Sequence, residues 1–159
     1  MGGNSVNLQL IKITLLARLA GTTFPGAING HTTWATAPTR RLKMWGNVDP
    51  SAQPCAFLVQ HNERYEQKGV TPPQRYLDMG FWCYAPSGDA DVVGDDLLDF
   101  MTSGIENALA PDDQARNELT LGGLVYWCRI MRGSGIYIRD PGDIDGQAML
   151  VLPIVILIP

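Results

Sequence analysis

The chain has 159 residues, of which 45% are hydrophobic and 18% charged, a composition typical of a folded globular protein. This length fits a single hydrophobic core, and we predict one domain over residues 1–159. The net charge of −4 argues against nonspecific binding to nucleic acid.

The cysteines and histidines predict neither a metal site nor a bound cofactor. Cys55, Cys83 and Cys128 are odd in number, lack a C-x-x-C pair and lie in apolar runs. That pattern is typical of buried thiols in a reducing compartment. His31 and His61 belong to unrelated segments. The N-terminal residues show no basic stretch followed by a continuous apolar core, so we expect synthesis in the cytoplasm without a secretion signal.

The first predicted element is a helix capped by Asn4 or Ser5 and running to about Ala20, where Gly21 ends it. Apolar residues recur in it at helical spacing, namely Leu8, Ile11, Leu15, Leu16 and Leu19. We expect this stripe to lie on the sheet.

The next elements are a long loop and a pair of strands. Gly21 to Pro38 is rich in glycine, proline and threonine, and loops of this length are usually functional or flexible. Leu42 to Trp45 could form a short strand with a wet, basic face. Cys55–Gln60 and Arg75–Tyr84 are predicted to pair antiparallel. In the second strand, alternate residues are the core candidates: Leu77, Met79, Phe81 and Cys83.

The second half of the chain predicts one more helix and two more strands. The helix spans about Val92 to Leu109, with apolar residues again on one stripe. A strand over Leu119–Met131 follows it. Arg132 to Asp145 then holds a short apolar run, Ile136–Ile138, and a strong turn signal at Asp140–Asp143.

The last predicted strand, Gln147–Ile158, is the element around which the others are arranged. It is almost wholly apolar and rich in β-branched residues, which suits a strand covered on both faces. It is too short to cross a bilayer, which needs about 20 residues, so no membrane partner is predicted. Pro153 cannot donate to a ladder, and we therefore expect a break or bulge there with one poorly paired margin. A neighbouring subunit could cover that margin.

The order α-β-β-α-β-β predicts an α+β fold. We expect a mainly antiparallel sheet of four to five strands with both helices packed on one face. The possible strand at Leu42 to Trp45 accounts for the range in strand number.

No catalytic site is predicted. Nucleophile-elbow, Walker, H-E-x-x-H and zinc-ligand patterns are missing, and a cysteine–histidine pair would need a distant histidine folded against a core-like cysteine. Acids near the second helix could be metal ligands or a carboxylate pair, but they lack calcium-loop spacing. A solvated helix face, with acids favoured at the helix start, is the simpler interpretation. They are Asp89, Asp91, Asp95, Asp96, Asp99 and Glu106.

A basic trio, Arg40, Arg41 and Lys43, stands beside Trp45. These cations could bind phosphates or the acids of a protein partner. Against this, three basic residues on an exposed strand are more often ordinary surface. Trp45 favours the functional interpretation, since tryptophan and arginine are over-represented at interface hot spots.

Four segments carry a family resemblance: Thr39–Leu58, Ala108–Asp112, Leu119–Val125 and Gly146–Pro159. Through them the chain resembles the tail terminator (tail completion) proteins of tailed bacteriophages, in order along most of its length. The resemblance implies a small subunit that assembles into a homo-hexameric ring on the end of the tail tube. There it would stop tube polymerisation and present a surface to the head. The implied partners are other copies, the tail tube protein and neck or connector proteins, at the tail–neck junction of virions assembled in the host cytoplasm.

A ring subunit needs two different contact patches, because head-to-tail contacts are heterologous. The candidate residues are Arg40, Arg41, Lys43 and Trp45 on one side and Asp91, Asp95, Asp96 and Asp99 on the other. An acidic channel wall would let genomic DNA pass without specific binding, since like charges repel. A neck or connector protein is the alternative within this class. A small enzyme or ligand-binding domain using the loop around His31 and His61 is the alternative outside it.

Overall fold

A computed structural model describes residues 6–67, 69 and 72–159. Within these residues the helices and strands are α1 Leu8–Ala20, β1 Cys55–Glu66, β2 Gln74–Pro86, α2 Gly94–Ala108, β3 Trp127–Ile130, β4 Ile138–Asp140 and β5 Gln147–Ile158. Two short 3-10 helices, Trp45–Asn47 and Pro50–Ala52, precede β1. The predicted α+β class is confirmed.

The five strands form one antiparallel sheet in the order β1-β2-β5-β3, with β4 also paired to β5. β5 is therefore central. One of its margins pairs with β2 along its whole length, from Gln147 to Ile158. The other margin is shared between β4, opposite Met149–Val151, and β3, opposite Ile154–Leu157.

Pro153 lies at the seam between β4 and β3. The predicted break or bulge there is wrong, because the register between β2 and β5 runs through Pro153 without a shift. The Pro153 carbonyl accepts a hydrogen bond from Met131 N at 3.0 Å. The backbone N and O of one strand residue point to the same side of the strand. The Pro153 nitrogen, which has no hydrogen to donate, therefore faces the seam, and no hydrogen bond between β2 and β5 is lost. Gly135 of the same chain lies beside the proline ring, and cover of this margin by a neighbouring subunit stays a prediction.

Both helices pack on one face of the sheet, as predicted. The Asn7 side chain caps α1 by accepting a hydrogen bond from Leu10 N at 3.0 Å. Asn4 and Ser5, the predicted caps, lie outside the described residues. The buried positions of α1 match the predicted stripe and meet those of α2 and the sheet in one core. The predicted core residues of β2, Leu77, Met79, Phe81 and Cys83, are all buried.

Two predicted strands differ from the structure. Leu42 to Trp45 forms no strand, because only Thr39 bridges β1 and the Lys43 carbonyl accepts a hydrogen bond from the Tyr84 hydroxyl at 2.8 Å. The strand predicted over Leu119–Met131 is reduced to β3. Three consecutive positive φ angles, 53°, 72° and 91° from Leu121 to Gly123, turn the chain before it.

The loop from Gly21 to Pro38 is irregular, as predicted, but it belongs to the core. Phe24 and Trp34 are buried and meet edge to face at 4.9 Å between ring centroids. The Trp34 indole donates to the Leu19 carbonyl at 2.9 Å, so the loop is fastened to the end of α1. Across the part of the chain that is described, no helix has the length and apolar character needed to span a membrane.

Candidate subunit interface

The basic segment begins at the outer edge of β1. Thr39 N donates to Ala56 O at 3.3 Å, and Thr39 O accepts from Leu58 N at 2.9 Å. From there the chain crosses to the sheet face opposite the helices. Leu42 and Val48 pack there on a small cluster around Phe57. Edge pairing and this cluster together fix the segment on the sheet.

The side chains of the basic segment point into solvent. Arg40, Arg41 and Lys43 are exposed, and none of them appears in an ion pair among the described residues. Met44 and Trp45 are 57% and 42% exposed. A shallow groove of about 630 Å³, here called the basic groove, is lined by Thr39, Arg41, Leu42, Lys43, Met44 and Asn47. It combines an apolar floor with unpaired positive charge.

Positive charge extends from this segment onto α1. Partial burial and the nearby charge of Arg40 both lower the pKa of Lys12, while Glu63 opposes them. Arg40 is thus close enough to Lys12 for repulsion. An acidic partner surface at this edge would relieve that repulsion.

The acids at the start of α2 lie at the other margin of the sheet. The exposed carboxylates of Asp95 and Asp99 both accept hydrogen bonds from Arg139 Nη2 of β4, at 2.6 and 2.8 Å. Burial works against the charged form of Arg139, but these hydrogen bonds outweigh it and raise the pKa of the guanidinium. Asp91 is also exposed and lies just before the helix. The sequence did not identify Arg139 as their partner.

Three carboxylates of α2 are close enough to bind one cation. Single oxygens of Asp95, Asp96 and Asp99 lie within 4.8 Å of one another. A guanidinium already bridges two of these side chains, however, and all three are exposed. The arrangement is better suited to contact with a basic surface than to holding an ion.

A second acidic feature, overlooked in the sequence, lies between β4 and β5. Asp143 and Asp145 flank Ile144, whose side chain is completely exposed. We call these three residues the acidic turn. Gly142, at φ +70°, and Gly146, at φ +75°, bound it, and Gly146 N donates to Gly142 O at 2.8 Å. An isoleucine isolated between two acids beside a turn signal is the pattern that could have revealed it.

The structure therefore places the candidate residues in two separate groups. The basic groove starts at the β1 edge and continues on the sheet face opposite the helices. The α2 acids lie beside β4, and the acidic turn lies where β4 leads into β5, next to Ser87 and Gly88. Three strand spacings, about 14 Å in total, separate β1 from β4 across the sheet. One protomer thus carries separate surfaces of opposite charge, a basic one reached from the β1 edge and acidic ones beside β4 and at the turn before β5.

The histidines and cysteines do not form a nucleophile pair among the described residues. His61 Nε2 accepts a hydrogen bond from Trp82 Nε1 at 3.0 Å. Burial raises the pKa of the Cys55 thiol to about 11 and that of Cys128 to about 12, and it also raises the pKa of Cys83. These thiols stay protonated at neutral pH, which makes them poor nucleophiles.

Comparison with known proteins yields no match to a protein-family model or to a curated protein. The family resemblance of the four sequence segments therefore enters as a proposal.

Proposed function

We propose that the chain is a ring-forming tail terminator of a tailed bacteriophage. It caps the tail tube, stops its polymerisation and provides the surface for joining the head or neck. The partners are other copies of the chain, the tube protein and neck proteins. Genomic DNA passes through the ring without specific binding.

The observation that carries this proposal is that one protomer exposes two separate surfaces of opposite charge. Arg40, Arg41 and Lys43 extend from the β1 margin, and Asp95 and Asp99 from the β4 margin. A twofold contact built on only one of these patches would set that patch against its own copy and bring like charges together. A head-to-tail contact sets cations against acids, and it produces a ring when the rotation between neighbouring copies closes.

Two of the four segments that carry the resemblance supply parts that such a contact requires. Thr39–Leu58 supplies the basic groove and anchors it on β1. Gly146–Pro159 supplies β5, the central strand that fixes the distance between the two margins. The proposal thus assigns the shared residues to a rigid body with two contact surfaces.

Tail length tests the proposal directly. We would measure it by electron microscopy in particles assembled without this gene product, with a complemented sample as control. Overlong, headless tails of variable length are the expected result. Tails of normal length without heads would indicate a neck or connector protein instead. Normal, infectious particles would refute a structural role in the tail.

Charge reversal then links the phenotype to the β1 margin. Arg40→Glu with Arg41→Glu should weaken the ring and fail to restore normal tail length. Arg116→Glu, a reversal at an exposed arginine elsewhere in the described chain, is the matched control. Equal complementation by the two proteins would remove the basic segment from the contact.

A further inference from the structure

We propose that Ile144 of one copy inserts into the basic groove of the next copy, with Asp143 and Asp145 against Arg41 and Lys43. This inference rests on the proposed ring and names the contact that closes it. It concerns residues at the tip of the acidic turn, not the α2 acids.

The acidic turn is held firmly in place. Gly142 packs so closely that an added Cβ would lie 2.3 Å from the Gln147 backbone, and Ser87 Oγ donates to Gly142 O at 3.1 Å. A Cβ on Gly94 would lie 1.9 Å from Pro141 O, so the turn also rests on the start of α2. A fixed turn loses little conformational freedom on binding, which is the advantage of a preorganised contact.

Ile144 makes no contribution to the core of its own protomer. Its side chain is completely exposed, while the neighbouring β5 residues are mostly buried. Asp143 and Asp145 do not appear among the ion pairs of the described residues, in contrast to Asp95 and Asp99. The turn thus presents an apolar tip between two available negative charges.

The basic groove has the complementary chemistry. Leu42 and Met44 supply apolar surface, and methionine adapts readily to the shape of a bound group. Arg41 and Lys43 line the same groove and are exposed. The contact would have an apolar centre and, around it, cations of one copy facing acids of the next, and specific protein interfaces commonly have such an apolar core and polar rim. A second copy is the occupant because both halves belong to one chain, both are exposed, and the acids of the turn complement the cations of the groove.

Cysteine cross-linking tests this contact. The native cysteines Cys55, Cys83 and Cys128 are buried, so new surface cysteines can be oxidised selectively. The double variant Met44→Cys/Ile144→Cys should give a ladder from dimer to hexamer on mild oxidation. The control variant, Met44→Cys/Ile13→Cys, places the second thiol on the exposed side of α1 and should give no ladder.

The experiment is done on purified protein and on assembled tails, because the ring could form only on the tube. A ladder specific to the Ile144 variant in either sample supports the contact. No ladder in either sample, or an equal ladder from the control, overturns it. If tails lacking the protein are overlong while the Ile144 variant gives no ladder, the terminator function stands and only this contact fails. If those tails are normal, the terminator function fails whatever the cross-linking shows.

A truncation supplies the energetic test. Ile144→Ser should weaken association about tenfold to a hundredfold, as expected for loss of one buried isoleucine at an interface. Ile13→Ser, at an exposed isoleucine of α1, should leave association unchanged. Equal effects of the two substitutions on association would contradict the proposed insertion. Both proteins should keep the wild-type circular dichroism spectrum, since neither side chain lies in the core.

Discussion

Replacing Gly80 with alanine tests how tightly side chains pack on the sheet face opposite the helices. A Cβ at Gly80 would lie 2.1 Å from His61 Cε1 and 2.6 Å from His61 Nε2, closer than any real contact. The imidazole must move, which breaks its 3.0 Å hydrogen bond with Trp82. Overpacking costs about 1–3 kcal/mol and the lost hydrogen bond about 1 kcal/mol. Against these losses, alanine is more favourable than glycine within a strand by about 0.5–1 kcal/mol of unfolding free energy.

The expected loss for Gly80→Ala is therefore about 2 kcal/mol of unfolding free energy. This corresponds to a fall of about 4–8 °C in Tm for a domain of this size. Urea unfolding followed by circular dichroism measures it. Gly133→Ala, where an added Cβ meets nothing within 4 Å, is the matched control and should stay within about 0.5 kcal/mol of wild type.

A double mutant decides whether His61 is the cause. In a His61→Ala background the space above Gly80 is empty, so Gly80→Ala should become neutral or stabilising by about 0.5 kcal/mol. The change of sign is the diagnostic result. An equal cost of Gly80→Ala in both backgrounds would refute the steric explanation.

Three further predictions concern stability, each measured by urea unfolding. Removing the buried carboxylate with Asp78→Ala should lower the unfolding free energy by about 2–3 kcal/mol, because Arg64 donates two hydrogen bonds to it, at 2.7 and 3.0 Å. In an Arg64→Ala background, Asp78→Ala should cause no further loss of stability. An undiminished loss there would contradict the coupling between the two residues. Leu152→Ala, at a fully buried position of β5, should cost about 2–5 kcal/mol, and a cost below about 1 kcal/mol would show that the site collapses. Burial lowers the pKa of His61 below 6.5, with Asp78 opposing. The unfolded state therefore binds this proton first, and stability should fall as the pH drops from 7 through 6.5 towards the lower folded pKa. His61→Gln should flatten that part of the profile, and an unchanged slope would exclude His61 as its source.

Elements with a strong apolar period could be predicted from the sequence. The α1 stripe, the alternation along β2 and the apolar run of β5 each contain enough buried residues to define their faces. The cysteines were correctly placed in the interior because each lies in such a run. The α+β class followed from the order of these elements.

Features that depend on backbone geometry or on distant partners could not be predicted. Leu121 adopts a positive φ, which its side chain does not signal, and β3 begins only at Trp127. The alternation of Leu42 to Trp45 suggested a strand. The Lys43 carbonyl, which a strand would use to accept a backbone hydrogen bond, instead accepts one from the Tyr84 hydroxyl. Pro153 suggested a bulge because the sequence cannot show that two short strands divide that margin.

The candidate interface was predictable in part. Exposure of Arg40, Arg41, Lys43 and Trp45 confirms that these side chains are available on the surface. The pairing of Arg139 with α2 joins residues far apart in the chain, so spacing could not reveal it. Ile144 was hidden in a segment recognised only as a turn.

The central place of β5 sets the order in which the chain can fold. β1 and β2 are neighbours in the sequence and can form a hairpin as soon as both are synthesised. β2, β3 and β4 must then wait for β5, which follows all three in the chain. Until it arrives, the inner edge of β2 is open to strands of other nascent chains. Slow or interrupted synthesis of the β5 segment should therefore yield aggregates and not a partly active monomer.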